Sequence, residues 1–266
     1  MLRILFWNLN KKDLQHQVCR IAKEKLANII ILIETDFDHK DMLDALRAQV
    51  LPTFCRPRSS PSRFEIFSCD TCFDLTELYA GDRISIRRLC YAETDLILGS
   101  VHLVDRRNWD QNNQSVQTAL LVSEIARQES KLGHNRTILI GDFNMNPFDP
   151  GMNMAPGMNA MMTAKCIERG ERIVQKQPYQ YFYNPMWGLF GDRSPGPSGT
   201  YYHTSSSQGH YGWNMLDQVL LRRSLVPRFE RVEILSAAGS RPLISQQGRP
   251  DTKSASDHFP ILVSLK

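Results

Sequence analysis

Residues 137–147 read Thr-Ile-Leu-Ile-Gly-Asp-Phe-Asn-Met-Asn-Pro, TILIGDFNMNP. The β-branched and apolar run Thr137–Ile140 predicts a short strand buried on both faces, and Pro147 marks where any extension stops. That strand ends in Gly141, Asp142 and, two positions on, Asn144. Side chains two apart on extended backbone point the same way, so the carboxylate and the carboxamide are expected on one side. A polar group shut into an apolar interior without a partner costs roughly 2–7 kcal/mol. The stretch therefore points to a polar cleft at the end of a core strand.

Working outward, the same interruption recurs. Arg3–Leu9 reads as a strand carrying Asn8 near its end. Leu14, Val18, Ile21, Ala22 and Leu26 follow at helical spacing and predict one apolar helix face. Residues 29–34, IIILIE, then form an apolar strand ending in Glu34. Strand, helix and strand in close succession make a crossover unit, so the two strands belong near one another in one sheet. A helix is predicted over Lys40–Val50, and the prolines and arginines of residues 51–63 mark a loop. Strands are predicted at Phe64–Phe67, Ile84–Leu89 and Leu96–Leu103. A second helix is predicted over Ser115–Leu132, with Val116, Ala119, Leu120, Val122 and Ala126 inward; it feeds the TILIG strand. Residues 146–165 suggest a loop or short helix, and 179–202 a long, partly packed aromatic surface loop. Strands at 215–221, 231–236 and 259–265 complete the chain. No repeat or linker divides it, so one domain over 1–266 is expected: mixed sheets with helices on their outer faces.

Composition narrows the classes. At 42% hydrophobic and 23% charged residues, the 266-residue chain can bury a sizeable core and is not a disordered segment. A net charge of +4 permits an anionic substrate without requiring nucleic acid. No apolar run approaches the ~18 residues of a membrane span. The N-terminal MLRILFWNLN reads as a first strand, not a signal peptide. Six irregularly spaced cysteines suggest free thiols and a cytoplasmic setting. Cys69 and Cys72 form a lone C-x-x-C with no second pair to complete a zinc site.

The polar residues at strand ends are Asn8, Glu34, His102, Asp142 with Asn144, Asp217, and Asp257 with His258. Each alone has an ordinary structural reading: a turn cap for Asp217, a satisfied core imidazole for His102, solvent contact for Glu34. Together they predict convergence on one cleft. Four carboxylates gathered there would repel unless a cation neutralised them, and oxygen ligands suit a hard ion, Mg²⁺ or Mn²⁺. The histidines are then left for phosphate contact or proton transfer. Asp142 can take a proton from water while Asn144 orients that water or a phosphate oxygen. The pairs Arg87-Arg88 and Arg222-Arg223 read equally as solvated faces or phosphate contacts. The aromatic residues of 179–213 could stack on bases, but packing over the sheet is favoured.

The segments FWNLN, IIILIE, SVHL, GDFNMNP, MLDQVLL and SDHFP occur in an order that resembles the endonuclease/exonuclease/phosphatase superfamily. That superfamily includes pancreatic-type DNase I, abasic-site endonucleases, sphingomyelinases and inositol polyphosphate 5-phosphatases. The resemblance spans Asn8 to His258. It implies an α/β, four-layer sandwich: two mixed, largely antiparallel sheets face to face, with helices outside. It also implies Mg²⁺-dependent phosphoester hydrolysis. Glu34 is then the principal metal ligand, with Asn8 and Asp257 nearby. Asp142 activates or positions the attacking water, which Asn144 holds; His258 stabilises charge on the phosphate, and Asp217 orients His258. His102 contacts the phosphate or assists the leaving group. Asn10 stands where some members carry an acid. Arg106 and Arg107 are candidates for a further phosphate contact. Nucleic acid is the expected substrate, with a small-molecule or lipid-headgroup phosphoester, or an idle binding module, as the alternatives.

Overall fold

The computed structural model describes residues 1–69, 74–106, 108–204 and 210–266. In chain order, β1 (Leu2–Asn8), α1 (Gln15–Lys25), β2 (Ile29–Ile33), α2 (His39–Gln49), β3 (Phe54–Cys55) and β4 (Phe64–Cys69) come first. Then follow β5 (Asp74–Ala80), β6 (Ile84–Tyr91), β7 (Thr94–His102), α3 (Gln111–Leu132), β8 (Thr137–Asp142), α4 (Pro150–Asn153) and β9 (Ala160–Met161). A small hairpin, β10 (Glu171–Val174) and β11 (Gln177–Gln180), precedes β12 (Phe182–Tyr183), β13 (Tyr201–His203) and β14 (Gly212–Asn214). Last are β15 (Asp217–Arg222), β16 (Phe229–Ile234), β17 (Ala237–Ala238), β18 (Arg241–Pro242) and β19 (Ile261–Leu265).

Two large sheets organise these elements, ordered β16-β19-β1-β2-β4-β3 and β5-β6-β7-β8-β15-β12-β9. Most pairings are antiparallel. β1–β2 and β7–β8 are parallel, each joined by a crossover through α1 or through α3. Strand alternation sends one row of side chains from each sheet into a shared core. Leu2, Ile4, Phe6, Ile29 and Ile31 meet Leu96, Leu98, Ile138, Ile140 and Val219 there. The opposite rows are also buried. Leu5, Trp7, Ile30 and Leu32 lie under Val18, Ile21, Ala22, Met42 and Leu46 of α1 and α2. Ile97, Val101 and Leu139 lie under Leu121 and Ile125 of α3. Burial on both faces explains the continuous apolar runs of β1, β2 and β8. The result is the expected four-layer α/β/β/α sandwich. Among the described residues no helix is long and apolar enough to cross a membrane.

The predicted helices form, but their faces differ in two places. Leu26 is not on the buried face of α1; it is the left-handed C-cap, at φ 52°, and is exposed. α3 starts earlier than predicted, at Gln111, because Asp110 caps it by accepting the Asn113 N–H at 2.8 Å. Its inward side carries Gln114, Thr118, Leu121, Ile125, Gln128 and Glu129, whereas Val116 and Leu120 point to solvent. The buried polar groups are satisfied. Gln114 Nε2 donates to the carbonyls of Val104 and Asn144, each at 2.9 Å, and Glu129 pairs with Arg222. The strand β5 and the β10–β11 hairpin were not foreseen. The 179–202 loop carries short strands, and its Phe182 is buried with the Arg222 guanidinium 3.8 Å above its ring.

Candidate active site

The polar strand ends meet where the two sheets adjoin. In the second sheet, register places His102 opposite Asp142 and Asp217 opposite Asp142, so three candidate residues stand side by side on β7, β8 and β15. Gly141 makes this approach possible: a Cβ there would lie 2.0 Å from the Val101 carbonyl oxygen. In the first sheet, Asn8 ends β1, and Glu34 follows β2 in the left-handed region at φ 49°. Such a backbone is strained for a glutamate and is typical of functional positions.

Hydrogen bonds join the sheets. Asn8 Nδ2 donates to Glu34 Oε1 and to Asp142 Oδ2, both at 3.2 Å. His102 Nε2 lies 3.5 Å from the same Glu34 oxygen. His258 Nδ1 lies 2.8 Å from Asp217 Oδ2. Asp257 reaches the group through Ser256, whose Oγ donates to the Asn8 carbonyl at 2.6 Å, accepts the His258 N–H at 3.1 Å and lies 3.4 Å from Asp257 Oδ1. Asp142 and Asp217 form a buried floor, while Glu34, Asn144 and Asp257 stay partly exposed. All eight candidates thus fall in one neighbourhood.

One local expectation is corrected. The backbone past Asp142 is not extended, because Asn144 turns into the left-handed region at φ 52°. Asn144 therefore offers Asp142 its backbone N–H, which donates to Oδ1 at 2.8 Å, while its side-chain Nδ2 donates to the Leu103 carbonyl at 2.9 Å. Asparagine tolerates this conformation better than most residues.

Electrostatics separates the groups. Burial raises Asp142 to about 7; Asp217 adds to this, while His258 and hydrogen bonds from the Asn144 backbone and Asn8 oppose it. Burial alone would depress His258, but the charge and hydrogen bond of Asp217, with Asp142 and Asp257 behind, lift it to about 10. Burial pushes His102 down to about 4 against the pull of Glu34, with Arg83, Arg63 and His258 adding to the fall. Near neutral pH the site thus holds an imidazolium, a neutral imidazole and a carboxyl poised to titrate.

The donor set fits a hard divalent cation at Glu34. Glu34 Oε1 already gathers two neighbours, and among the described residues no hydrogen bond engages its other oxygen. Asp142, Asp217 and His258 also bring potential ligand atoms within 4.8 Å of one another. In that trio His258 Nδ1 and Asp217 Oδ2 already engage each other at 2.8 Å. Asn8 now turns its N–H toward the carboxylates, and its Oδ1 accepts the Asn10 N–H at 3.0 Å.

Two supporting residues had only weak signals in the sequence. Ser256, just before Asp257-His258, pins the His258 backbone to the end of β1. Thr200 Oγ1 accepts the N–H groups of Leu216 and Asp217 at 3.1 and 3.0 Å, fixing the start of β15. Tyr201 packs its ring 4.9 Å from that of His258. Other candidates are structural. Arg87 is buried against Glu77 and Ser59, and Arg222 is buried against Glu129, so neither is a surface phosphate contact. Their neighbours Arg88 and Arg223 are the exposed members. Arg106 is tied to Asp149 at 2.5 Å and to Gln114 at 3.3 Å. Arg107 and Cys72 lie outside the described residues. Trp213 packs on Phe259 and Tyr202, as the packing alternative expects. A cavity of about 590 Å³ lined by Cys55, Ser68, Asp74 and Glu77 holds none of the site residues.

No curated protein sequence matches the chain. Several solved structures share its fold over nearly their whole length. D. rerio TDP2 complexed with single strand DNA product has 14% identity and a TM-score of 0.59, over 100% of this chain and 98% of that one. An endonuclease/exonuclease/phosphatase family protein from Bacteroides thetaiotaomicron has 16% identity and a TM-score of 0.60, over 99% and 94%. The endonuclease domain of TRAS1, a telomere-specific non-LTR retrotransposon, has 15% identity and a TM-score of 0.56, over 100% and 99%. The sequence profile of the Endonuclease/Exonuclease/phosphatase family matches residues 5–258. The chain belongs to that family of phosphoester hydrolases, which generally depend on a divalent metal.

Proposed function

We propose that the protein is a Mg²⁺-dependent nuclease, with Mn²⁺ as a substitute, that cleaves nucleic-acid phosphodiester bonds by in-line attack of water. The observation that carries this reading is the convergence of Asn8, Glu34, His102, Asp142, Asp217 and His258 on one hydrogen-bonded site, with proton-holding groups of three different strengths. The DNA product in the TDP2 structure and the endonuclease domain among the fold's relatives favour a nucleic-acid substrate.

Each residue has a part in this scheme. Glu34 holds the cation, with Asp257 and, on turning its amide, Asn8 contributing oxygens. A bound divalent ion would polarise the phosphoryl group and neutralise its charge. Asp142, titrating near 7, accepts a proton from the attacking water. Asn144 has its Oδ1 left to orient that water, since its Nδ2 is committed to Leu103. His258, kept protonated by Asp217, donates to the phosphoryl oxygen as negative charge develops. His102 is neutral, with an unpartnered Nδ1 among the described residues, and contacts the phosphate or the leaving oxygen.

The test is a substrate panel: supercoiled, linear and single-stranded DNA, RNA, and bis-p-nitrophenyl phosphate, each with Mg²⁺, Mn²⁺ or chelator. Metal-dependent cleavage of a nucleic acid that disappears in His258→Ala is the expected result. Turnover of the small diester with intact nucleic acids would replace this reading with a small-molecule phosphodiesterase. No turnover of any member would leave a binding module.

A further inference from the structure

Two arginines flank the site, one on each sheet. Phe64 pairs with Ile33, which brings Arg63 opposite Glu34 at the end of the first sheet. Ile84 pairs with Val101, and the His102 N–H donates to the Arg83 carbonyl at 3.0 Å, so Arg83 stands beside His102 on the second sheet. Asp82 ties the two together across the gap: Arg63 Nε donates to Oδ1 at 2.8 Å, and Arg83 Nε lies 3.1 Å from Oδ2. Both arginines approach through Nε. Among the described residues, no hydrogen bond engages the terminal nitrogens of either guanidinium.

A surface ion pair usually contributes little, and a solvated pair would need no further explanation. This one differs in two ways. It gathers two like charges on one carboxylate, leaving a net positive charge beside the site. It also sits beside the point where Glu34 and His102 approach to 3.5 Å, with the Arg63 and Arg83 side chains 46% and 27% exposed. Arginine's planar fork matches phosphate oxygens, and the Nε contacts hold both forks in place without using their ends.

We propose that Arg63 and Arg83, locked on Asp82, form a receptor for a second phosphate of the substrate, one that is not hydrolysed. The assignment rests on the nuclease reading, in which this group is the internucleotide phosphate next to the scissile one on the Glu34–His102 side. It makes the enzyme prefer chains of several phosphates over an isolated diester.

The test compares wild type, Arg63→Gln, Arg83→Gln and the double variant. Oligonucleotides of two to twelve nucleotides and bis-p-nitrophenyl phosphate serve as substrates. Binding of a labelled twelve-mer in chelator is followed by anisotropy from low to moderate salt. The double variant is expected to lose about tenfold more kcat/KM on the longer oligonucleotides than on the small diester, chiefly through KM. The slope of log affinity against log salt should flatten by about one. The dinucleotide, with a single phosphate, should be affected no more than the small diester. An unchanged salt slope and oligonucleotide KM, in a wild type that cleaves nucleic acid, would overturn the receptor and leave the nuclease reading standing. Equal losses on every substrate would overturn it too, as a general effect on the site. A wild type that cleaves no nucleic acid would overturn both.

Discussion

Replacing Asp217 by Asn keeps the shape of the His258 partner and removes its charge. The lift of His258 from 6.5 to about 10 corresponds to about 5 kcal/mol of preference for the imidazolium. Three carboxylates share that lift, and Asp217, at 2.8 Å, leads them. Its share is about 2–3 kcal/mol, in line with a charge-assisted hydrogen bond. If His258 must be protonated to meet charge on the phosphate, Asp217→Asn should lower kcat only about twofold near pH 8 but roughly tenfold near pH 9. The alkaline limb of the pH–rate profile should move about two units toward neutrality. Stability follows the same sign. A histidine whose folded pKa is raised contributes stability that is full below 6.5 and lost as pH rises through about 10. Wild-type Tm should therefore fall across pH 8–10, and the variant should lose less over that window. The assay is steady-state hydrolysis of bis-p-nitrophenyl phosphate and an oligonucleotide from pH 6 to 10, with melts at each pH. An alkaline limb that stays in place, with kcat at pH 9 within threefold of wild type, would refute the imidazolium's role.

Asp142→Asn should abolish turnover yet stabilise the fold in chelator. The raised Asp142 pKa favours the neutral acid, so its contribution is full below 3.8 and lost as pH rises through about 7. At pH 8 the variant should gain roughly 2–4 kcal/mol, at pH 5 less than half of that, and below pH 3.8 nothing, and a lower Tm at pH 8 would contradict the assignment. Glu34→Gln should shift the Mg²⁺ activation curve at least tenfold higher, by roughly 1.4 kcal/mol or more, while Tm in chelator barely moves; an unchanged metal titration would remove Glu34 as the ligand. Glu129→Ala leaves Arg222 buried without its carboxylate, a loss of about 3–5 kcal/mol. At ~2–4 °C per kcal/mol, Tm should drop by at least several degrees, with kcat of the folded enzyme retained. Loss of kcat at an unchanged Tm would instead make Arg222 a substrate contact.

The candidate site was legible because its residues interrupt apolar strands. An acid after Ile-Ile-Ile-Leu-Ile, or after Thr-Ile-Leu-Ile-Gly, breaks a pattern that burial on both faces otherwise keeps unbroken, and such breaks mark strand ends. The topology then supplies what no linear reading contains: the register that sets His102, Asp142 and Asp217 abreast. Polar residues in α3 gave no such signal, because on an amphipathic helix a polar residue reads as solvent-facing by default. Glu129 needs Arg222, 93 positions away, before its burial makes sense. Gln114 is the more telling case. It is fully buried, it was assigned no role, and its amide reaches the carbonyls of Val104 and Asn144. Asn144 holds a left-handed turn whose backbone N–H is aimed at Asp142, and a turn in that region must be held from outside itself. Gln114 supplies that hold from below. The polar side of α3 is therefore part of the site's foundation, and the hydrophobic periodicity that located the helix also pointed its inner face outward.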